Sequence, residues 1–412
     1  MPVTEVDAIA SGPAVMAVAA GGSETSQDVT ERIRIYLTTL ACGALLLVTT
    51  TFVVVDWVGR RTGSTLLPAE LSARVAANSR SIVYRDRIPS WGAIKLARIA
   101  QLQPEVVFIG SSRGNSLREQ MFLPYRFYNA SLTAWTIEQT RFMLEKILQV
   151  ASPRVVIFAL DYWMFGDQWA TAMESSRSMI FDGWLTYKYR VDRGFIETLG
   201  RNPSLLRTKV LPSLLGKSVA TRDQLNFVGI DAMLHEVGFR ADGSFLQPAG
   251  SRATPDGDKN YMDSVLRAFP GGRRYDQRQM DALEKLAVLA QSHGVKLIAV
   301  QLPLASSAIH FLDTDKSYHR LAGLWRESRT EERSDMLREI GIPYYDLSDQ
   351  LHDNTEFLDA AHLTERGMLE VLLNLSEMPE FRSALAGLDV ARLRADLAGV
   401  TDPGAASVFP TP

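Results

Sequence analysis

The sequence contains little of what the common metal and cofactor sites require. Its one cysteine, Cys42, lies in an apolar run, which excludes a disulfide framework and a cysteine-rich metal site. The six histidines form no HExxH motif and no His-x3-His pair. No GKS or GKT follows Gly110, and Gly110 and Gly114 do not make a GxGxxG motif. We therefore expect no bound metal and no cofactor, and a soluble dinucleotide-binding protein is set aside.

The sequence also lacks an excess of charge of either sign. It has 44 Lys and Arg residues against 47 Asp and Glu, a net charge of −3. Such a chain offers no basic field to nucleic acid, so no nucleic-acid partner is predicted. With 46% hydrophobic and 22% charged residues, the 412-residue chain has the composition of a globular protein of one large or two ordinary domains.

One long run near the N-terminus has no charged residue at all. Ile35 to Val55 cover 21 positions without a charge, and a helix of that length is roughly 31 Å long, close to the thickness of a bilayer core. A buried core helix is seldom apolar on all sides for so long, and a signal peptide has a shorter apolar region. We predict a single-pass transmembrane anchor at residues 31–58. Arginines flank both ends of the run, so their count does not decide its orientation.

Short apolar runs alternate with amphipathic helices from about residue 104 onward. We predict five strands: Val106–Ile109, Phe127–Asn129, Val155–Leu160, Val295–Leu302 and Ile342–Asp346. Helical patterns separate them, including one that a capping box opens at Thr136, one that Gly294 ends, and one around Leu321–Ile340. Strands that alternate with helices predict an α/β fold with a parallel sheet covered on both sides.

The remaining segments divide the chain further. Residues 1–30 are rich in Ala, Gly, Ser and Thr and predict a disordered tail, and residues 59–100 predict a linker and packing helices. The α/β domain is placed at 101–380, followed by a C-terminal helix and tail at 381–412. The insertion at about 165–275, after the third strand, is too long for a plain connection. We interpret it as a subdomain or lid; the alternative is a peripheral insertion without a role.

Residues that could carry chemistry follow the first and the last predicted strand. Ser112 comes directly after the first strand, where backbone N–H groups of a strand-to-helix turn suit a developing oxyanion. Asp359 precedes His362 by three residues, a spacing that lets the carboxylate fix the imidazole tautomer and leave Nε2 to face a serine. In parallel sheets such residues meet at the carboxyl ends of the strands.

A second Asp-x-x-His pair, Asp349 and His352, lies ten residues earlier. Leu347 and Leu351 suggest a short helix there, on which Asp349 and His352 would be surface neighbours. We prefer the later pair because a helix start at Thr364 follows it and would hold the loop rigid.

The order and content of these segments resemble the SGNH (GDSL-like) hydrolase superfamily over residues 104–162 and 280–375. The sequence Ile-Gly-Ser-Ser at 109–112 resembles the family's first block, with Ser111 in place of the usual Asp and Ser112 as nucleophile. The segment Asp-Ala-Ala-His-Leu at 359–363 resembles the last block, which carries the acid and the base. The insertion resembles nothing in the family.

The two middle blocks match less closely. The segment 128–136, YNASLTAWT, resembles the second block, in which the oxyanion glycine falls on Ala134. The third block's Gly-x-Asn-Asp is missing, and Ala-Leu-Asp-Tyr stands at 159–162, which leaves Asp161 or Tyr162 to shape that corner. The resemblance thus implies Ser112, Asp359 and His362 as catalytic residues, with an oxyanion hole formed by the N–H groups of Ser112 and Ala134.

The resemblance is strongest to the membrane-anchored bacterial branch of the superfamily, which includes alginate-type O-acetyltransferases and proteins of teichoic-acid D-alanylation. It implies a flavodoxin-like three-layer α/β/α domain and a serine esterase or O-acyltransferase acting on acyl esters of envelope glycans or exopolysaccharide. The expected location is the inner (cytoplasmic) membrane with residues 56–412 outside the cytoplasm, and a polysaccharide assembly complex is a possible partner. The alternative is a non-catalytic binding protein of such an assembly.

Overall fold

The fold was determined as a computed structural model. It describes residues 26–85, 91–174, 183–215, 224–254, 276–314, 325, 331–351 and 353–409. The chain divides into two units with the boundary between Val54 and Val55.

The first unit consists, in its described part, of helix. This helix runs from Ser26 to Thr62 and so continues across the boundary into the second unit. It is long and apolar enough to cross a membrane, and the most apolar stretch of it is not buried by any protein contact. The helix begins at Ser26, inside the predicted tail; residues 1–25 lie outside the described residues.

The second unit contains a sheet of five parallel strands, as predicted. Its strands are β2 (Val106–Ile109), β3 (Phe127–Ala130), β4 (Val155–Ala159), β8 (Lys296–Gln301) and β9 (Tyr344–Asp346). Their order across the sheet is β3-β2-β4-β8-β9, and all neighbours are parallel. The prediction of a parallel α/β sheet is confirmed, with strand ends within two residues of the predicted ones.

The α-helices of the described residues have these bounds: Ser26–Thr62, Pro68–Ala76, Trp91–Leu102, Ile137–Leu148, Asp167–Glu174, Trp184–Arg201, Leu211–Leu214, Ile230–His235, Gln277–Ser292, Ser306–Thr314, Glu331–Glu339, Glu365–Glu377, Pro379–Ala384 and Val390–Ala398. Thr136 caps its helix as predicted, because its side chain accepts a hydrogen bond from Gln139 N at 3.1 Å. Gly294, with φ of +67°, ends the helix Gln277–Ser292 as predicted.

Alternate residues of the central strands enter two different hydrophobic clusters. Val107 and Ile109 pack in the first, with residues of the helices Ile137–Leu148 and Gln277–Ser292. Val106 and Phe108 pack in the second, with residues of the helix Glu365–Glu377. Because successive side chains of a strand point to opposite faces, each cluster covers one face of the sheet.

A second, smaller sheet was not predicted. Its strands are β1 (Ser81–Val83), β5 (Asn226–Val228), β6 (Gly238–Phe239) and β7 (Phe245–Leu246), in the order β5-β1-β6-β7. β1 comes from the segment predicted as a linker and the other three strands come from the insertion. The described part of the insertion is thus joined to the preceding segment by strand pairing; residues 175–182, 216–223 and 255–275 lie outside the described residues.

Candidate active site

The nucleophile candidate lies on a tight turn at the carboxyl end of β2. After Ile109, Gly110 and Ser111 lead into a 3-10 turn, Ser112–Gly114, and the Ser111 side chain caps it by accepting from Arg113 N. Gly114 allows this turn to lie directly on Phe108, since a Cβ at position 114 would come within 2.0 Å of the Phe108 ring. The turn presents Ser112, which is partly exposed, at the edge of the sheet where ligands bind in parallel α/β folds.

Three predicted residues, from two segments far apart in sequence, meet at this edge. Ser112 Oγ lies 2.7 Å from His362 Nε2, and His362 Nδ1 lies 2.8 Å from Asp359 Oδ2. Both distances are those of hydrogen bonds. Within the first of them, a proton can move from the serine to the imidazole. The carboxylate on Nδ1 favours the tautomer whose Nε2 accepts the serine proton.

Hydrogen bonds hold the Asp359 carboxylate in its charged form. Burial raises the pKa of Asp359, but the hydrogen bond and charge of His362 and the N–H groups of Ala361 and His362 outweigh it, so the pKa is lowered overall. Each of those two N–H groups donates to Asp359 Oδ1 at 2.8 Å. The carboxylate is therefore both ionised and fixed in orientation at neutral pH.

The loop that carries Asp359 and His362 is closed at its base. Phe357 and Leu363 form an antiparallel bridge, and Leu358 N donates to His362 O at 2.7 Å. The following helix begins at Glu365, and the Thr364 side chain caps it by accepting from Gly367 N at 3.1 Å. This helix start was the reason to prefer the later Asp-x-x-His pair. His352 of the earlier pair lies outside the described residues.

Arg113, which the sequence reading did not single out, connects the segments of the site. It forms a buried ion pair with Asp161, its side chain 3% exposed and that of Asp161 0%. Its other guanidinium nitrogens donate to Leu302 O at 2.7 Å, to Pro303 O at 2.5 Å and to Ala361 O at 3.3 Å. One side chain thus ties the serine turn to the ends of two further strands and to the histidine loop. An arginine directly after Gly-Ser-Ser was the only signal available in the sequence.

The predicted third-block residues have different positions. Asp161 accepts a hydrogen bond from Ser111 Oγ at 3.3 Å and another from Arg113, so its carboxylate holds two residues of the serine turn in place. Tyr162 points instead into the first hydrophobic cluster, where its ring contacts Trp163 and Trp325. Burial raises the pKa of Tyr162 far above its ordinary value, so the phenol stays protonated. Asp161 belongs to the network of the site, and Tyr162 belongs to the core.

The position of Ala134 does not fit the oxyanion role expected for it. The loop after β3 folds back onto the serine turn, so that Thr133 N and Ala134 N both donate to Gly110 O, at 3.2 and 3.3 Å. The Ala134 N–H is therefore engaged in an internal hydrogen bond, and the expectation that it donates to an oxyanion needs correction. Ser112 N, at the first position of its 3-10 turn, donates to no backbone acceptor among the described residues.

No group of His, Cys, Asp and Glu side chains suited to a metal ion occurs among the residues that the structure describes. The chain matches no protein-family model and no curated protein.

Proposed function

We propose that this protein is a membrane-anchored serine acyl-transfer enzyme of the SGNH (GDSL-like) type, an esterase or an O-acyltransferase. The observation that carries the proposal is the continuous hydrogen-bonded path from Ser112 Oγ through His362 to Asp359, with distances of 2.7 and 2.8 Å. The imidazole of His362 thus has a serine hydroxyl on one ring nitrogen and an ionised carboxylate on the other, at the carboxyl end of a parallel sheet. This arrangement is the one that activates a serine hydroxyl.

The proposed reaction has two half-reactions. In the first, Ser112 Oγ attacks the carbonyl carbon of an ester while His362 Nε2 takes the serine proton. The tetrahedral intermediate collapses to an acyl-serine as His362 returns the proton to the departing alcohol. In the second, water or a sugar hydroxyl attacks the acyl-serine by the same route. Water makes the protein an esterase, and a sugar hydroxyl makes it an O-acyltransferase.

The oxyanion needs at least one hydrogen-bond donor that points toward the developing charge. The Ser112 N–H has the position for this role, since it starts the 3-10 turn and donates to no backbone acceptor among the described residues. A donor of this kind is typically worth a factor of about 10² to 10³ in turnover. We assign Ser112 two roles, nucleophile and oxyanion donor, and withdraw Ala134 from the second.

The fold supports the assignment to this type. The strand order, with the second strand outside the first and then the third, fourth and fifth, is the order of flavodoxin-like sheets. We propose the corresponding three-layer α/β/α arrangement, since helices contribute to the hydrophobic cluster on each face of the sheet.

Acyl esters of cell-envelope or exopolysaccharide glycans are the proposed substrates. The apolar helix supports a substrate close to a membrane, and the sequence resemblance supports an acylated glycan. We place the protein in the inner membrane, with the residues after the helix outside the cytoplasm and near a polysaccharide assembly complex. A reporter that is active only in the cytoplasm, fused after residue 412, should then be silent.

One observation favours the alternative, a non-catalytic glycan-binding protein of the same assembly. The Ala134 N–H, which the resemblance implies as an oxyanion donor, is bonded to Gly110 O. A site that has lost catalysis need not keep that N–H available. The complete set of Ser112, Asp359 and His362 in hydrogen-bond contact supports the enzyme.

A fluorophosphonate probe separates the two functions. The full chain in detergent or membranes should be labelled at Ser112, and Ser112→Ala should abolish the labelling while the fold is retained. His362→Ala should slow labelling strongly, because the hydroxyl loses its base. Absence of labelling in the folded wild-type chain would reject the enzyme and leave the binding protein.

A further inference from the structure

The segment 184–215 carries nearly all the large apolar side chains that remain exposed outside the N-terminal helix. It consists of the helix Trp184–Arg201, a π-helical turn at Leu206–Val210 and the short helix Leu211–Leu214. Outside the N-terminal helix the exposed large hydrophobic side chains of the described residues are Val288 and six in this segment: Leu185, Tyr189, Ile196, Leu206, Leu211 and Leu215. Leu185 is 66% exposed and Leu215 72%.

The helix Trp184–Arg201 has two apolar faces, and within the part of the chain that the structure describes only one of them is packed. Tyr187, Val191 and Phe195 are buried against the protein. The exposed residues 185, 189 and 196 fall within about 40° of one another at about 100° per residue, and roughly 140° from the buried face. Three exposed apolar residues aligned in this way form a continuous apolar stripe on the helix. Apolar residues that are scattered singly over a protein surface form no such stripe.

The segment packs against the helix at the end of its apolar run. Val55 and Val58 contact the cluster formed by Phe195, Leu205 and Val210, and Lys188 Nζ lies 2.7 Å from Asp56 Oδ1. Val55 is the last residue of the uncharged run, and Val58 follows it by about 5 Å at 1.5 Å per residue. The segment is therefore packed beside residues 55–58, at the C-terminal end of the uncharged run along the chain.

The charge of the segment fits a lipid headgroup layer. Residues 184–215 contain six Lys and Arg residues against two Asp and Glu, a net charge of +4 in a chain whose net charge is −3. Arg193, which is 63% exposed, lies beside the apolar stripe on the helical wheel, whereas Lys188 on the other side of the stripe pairs with Asp56 and Asp192. Basic residues beside an apolar stripe are the pattern of helices that lie in the interface plane of a membrane.

We propose that residues 184–215 form a second, interfacial membrane contact, beside the spanning helix. The exposed leucines and Ile196 enter the boundary of the acyl chains, and the basic side chains contact anionic headgroups. The contact rests on the proposed membrane span and not on catalysis.

Site-specific quenching tests this contact in the full chain. The native Cys42, in the apolar run, takes a polarity-sensitive fluorophore and reports on the span itself. In a Cys42→Ser background, Leu185→Cys and Leu211→Cys report on the segment, and Val288→Cys is the matched control because Val288 is also an exposed apolar residue. Each protein is placed singly in nanodiscs that contain anionic lipid, with brominated lipid or aqueous iodide as quencher.

Brominated lipid should lower the fluorescence by about twofold or more at positions 42, 185 and 211 and leave position 288 nearly unchanged, while iodide should do the reverse. Replacing anionic by zwitterionic lipid should weaken lipid quenching at 185 and 211 but not at 42.

Lipid quenching at 42 with none at 185 and 211 would overturn the interfacial contact alone. Shielding of 185 and 211 from both quenchers would show that protein covers the segment and would also overturn it. Absence of lipid quenching at 42 would remove the span and the contact together.

Discussion

The carboxyl end of the main sheet and the segment 184–215 use the same residue types in opposite ways. At the sheet end, Arg113 and Asp161 form a buried pair, and the remaining guanidinium nitrogens are held by backbone carbonyls. On the segment, Arg193 pairs with Glu197 at 2.7 Å, but the arginine is 63% exposed. Water can replace the contacts of the exposed Arg193–Glu197 pair at little cost in free energy. It cannot reach the buried Arg113–Asp161 pair. An ion pair therefore fixes the geometry of a site when it is buried, and the pairing alone does not have this effect.

The largest expected effect concerns whether the sheet end is reactive at all. Ser112→Ala and His362→Ala should each lower turnover of a small activated ester by about 10² to 10⁴ or more, and the double variant should be little worse than either. The reason for the non-additivity is that both residues serve one proton transfer. Steady-state kinetics of the full chain in detergent measures it, and effects that multiply would contradict a shared step.

Two further variants complete this prediction. Asp359→Asn should also be severe, because an amide favours the wrong imidazole tautomer. His352→Ala should leave turnover within a few-fold of wild type. An inactive His352→Ala with a normal His362→Ala would move the base to the earlier pair.

The second largest expected effect is a difference in stability between variants of the buried and of the exposed ion pair. Arg113→Met should lower the free energy of unfolding by about 3 to 5 kcal/mol, because the buried Asp161 carboxylate loses the cation it pairs with. Arg193→Met, the exposed control, should leave the unfolding midpoint unchanged. Urea unfolding of the full chain in detergent measures both.

A double variant tests the reason given for this loss. Arg113→Met with Asp161→Asn should be more stable than Arg113→Met alone, since the carboxylate charge that lost its cation is then also removed. Equal destabilisation by Arg113→Met and Arg193→Met would contradict the role given to burial.

The smallest expected effect concerns a carboxyl group between these two extremes. Burial and the neighbouring Glu370 carboxylate raise the pKa of Glu356 to about 8, against the lowering influence of Arg366. A pKa raised in the folded state means that the folded protein binds this proton more tightly, so the stabilisation is complete below the unfolded pKa of about 4.3 and is lost as pH rises through 8.

The unfolding midpoint of the wild-type chain should therefore fall between about pH 5 and pH 9, and Glu356→Gln should flatten this decline because an amide does not titrate. Asp353 also lies near the Arg366 guanidinium, at 3.9 Å, so Asp353→Asn serves as a control that keeps the Glu356 titration. Parallel pH curves for wild type and Glu356→Gln would contradict the assignment.

The five parallel strands and the apolar helix could be predicted because their signals are local. The length of a strand such as Val106–Ile109 can be read from the apolar run between a proline and a glycine. The length of the apolar helix can likewise be read from its 21 residues without charge. Ser112 and the pair Asp359 and His362 could be predicted because each follows such a strand, and parallel strands bring their carboxyl ends together. Strand β1 has three residues and its partner β5 lies 145 positions later, so nothing local marked the pair.

The apolar helix, the parallel sheet and the positions of Ser112, Asp359 and His362 were thus determined by the sequence, because each depends on a run or a spacing within a few residues. Tertiary structure alone decided three other features. Arg113 became the connection between strand ends, because three separate segments converge on its guanidinium. The Ala134 N–H turned to Gly110 O, because the loop after β3 folds back on the serine turn. The second apolar face of the helix Trp184–Arg201 stayed exposed, because packing against Val55 and Val58 used the cluster on its other side.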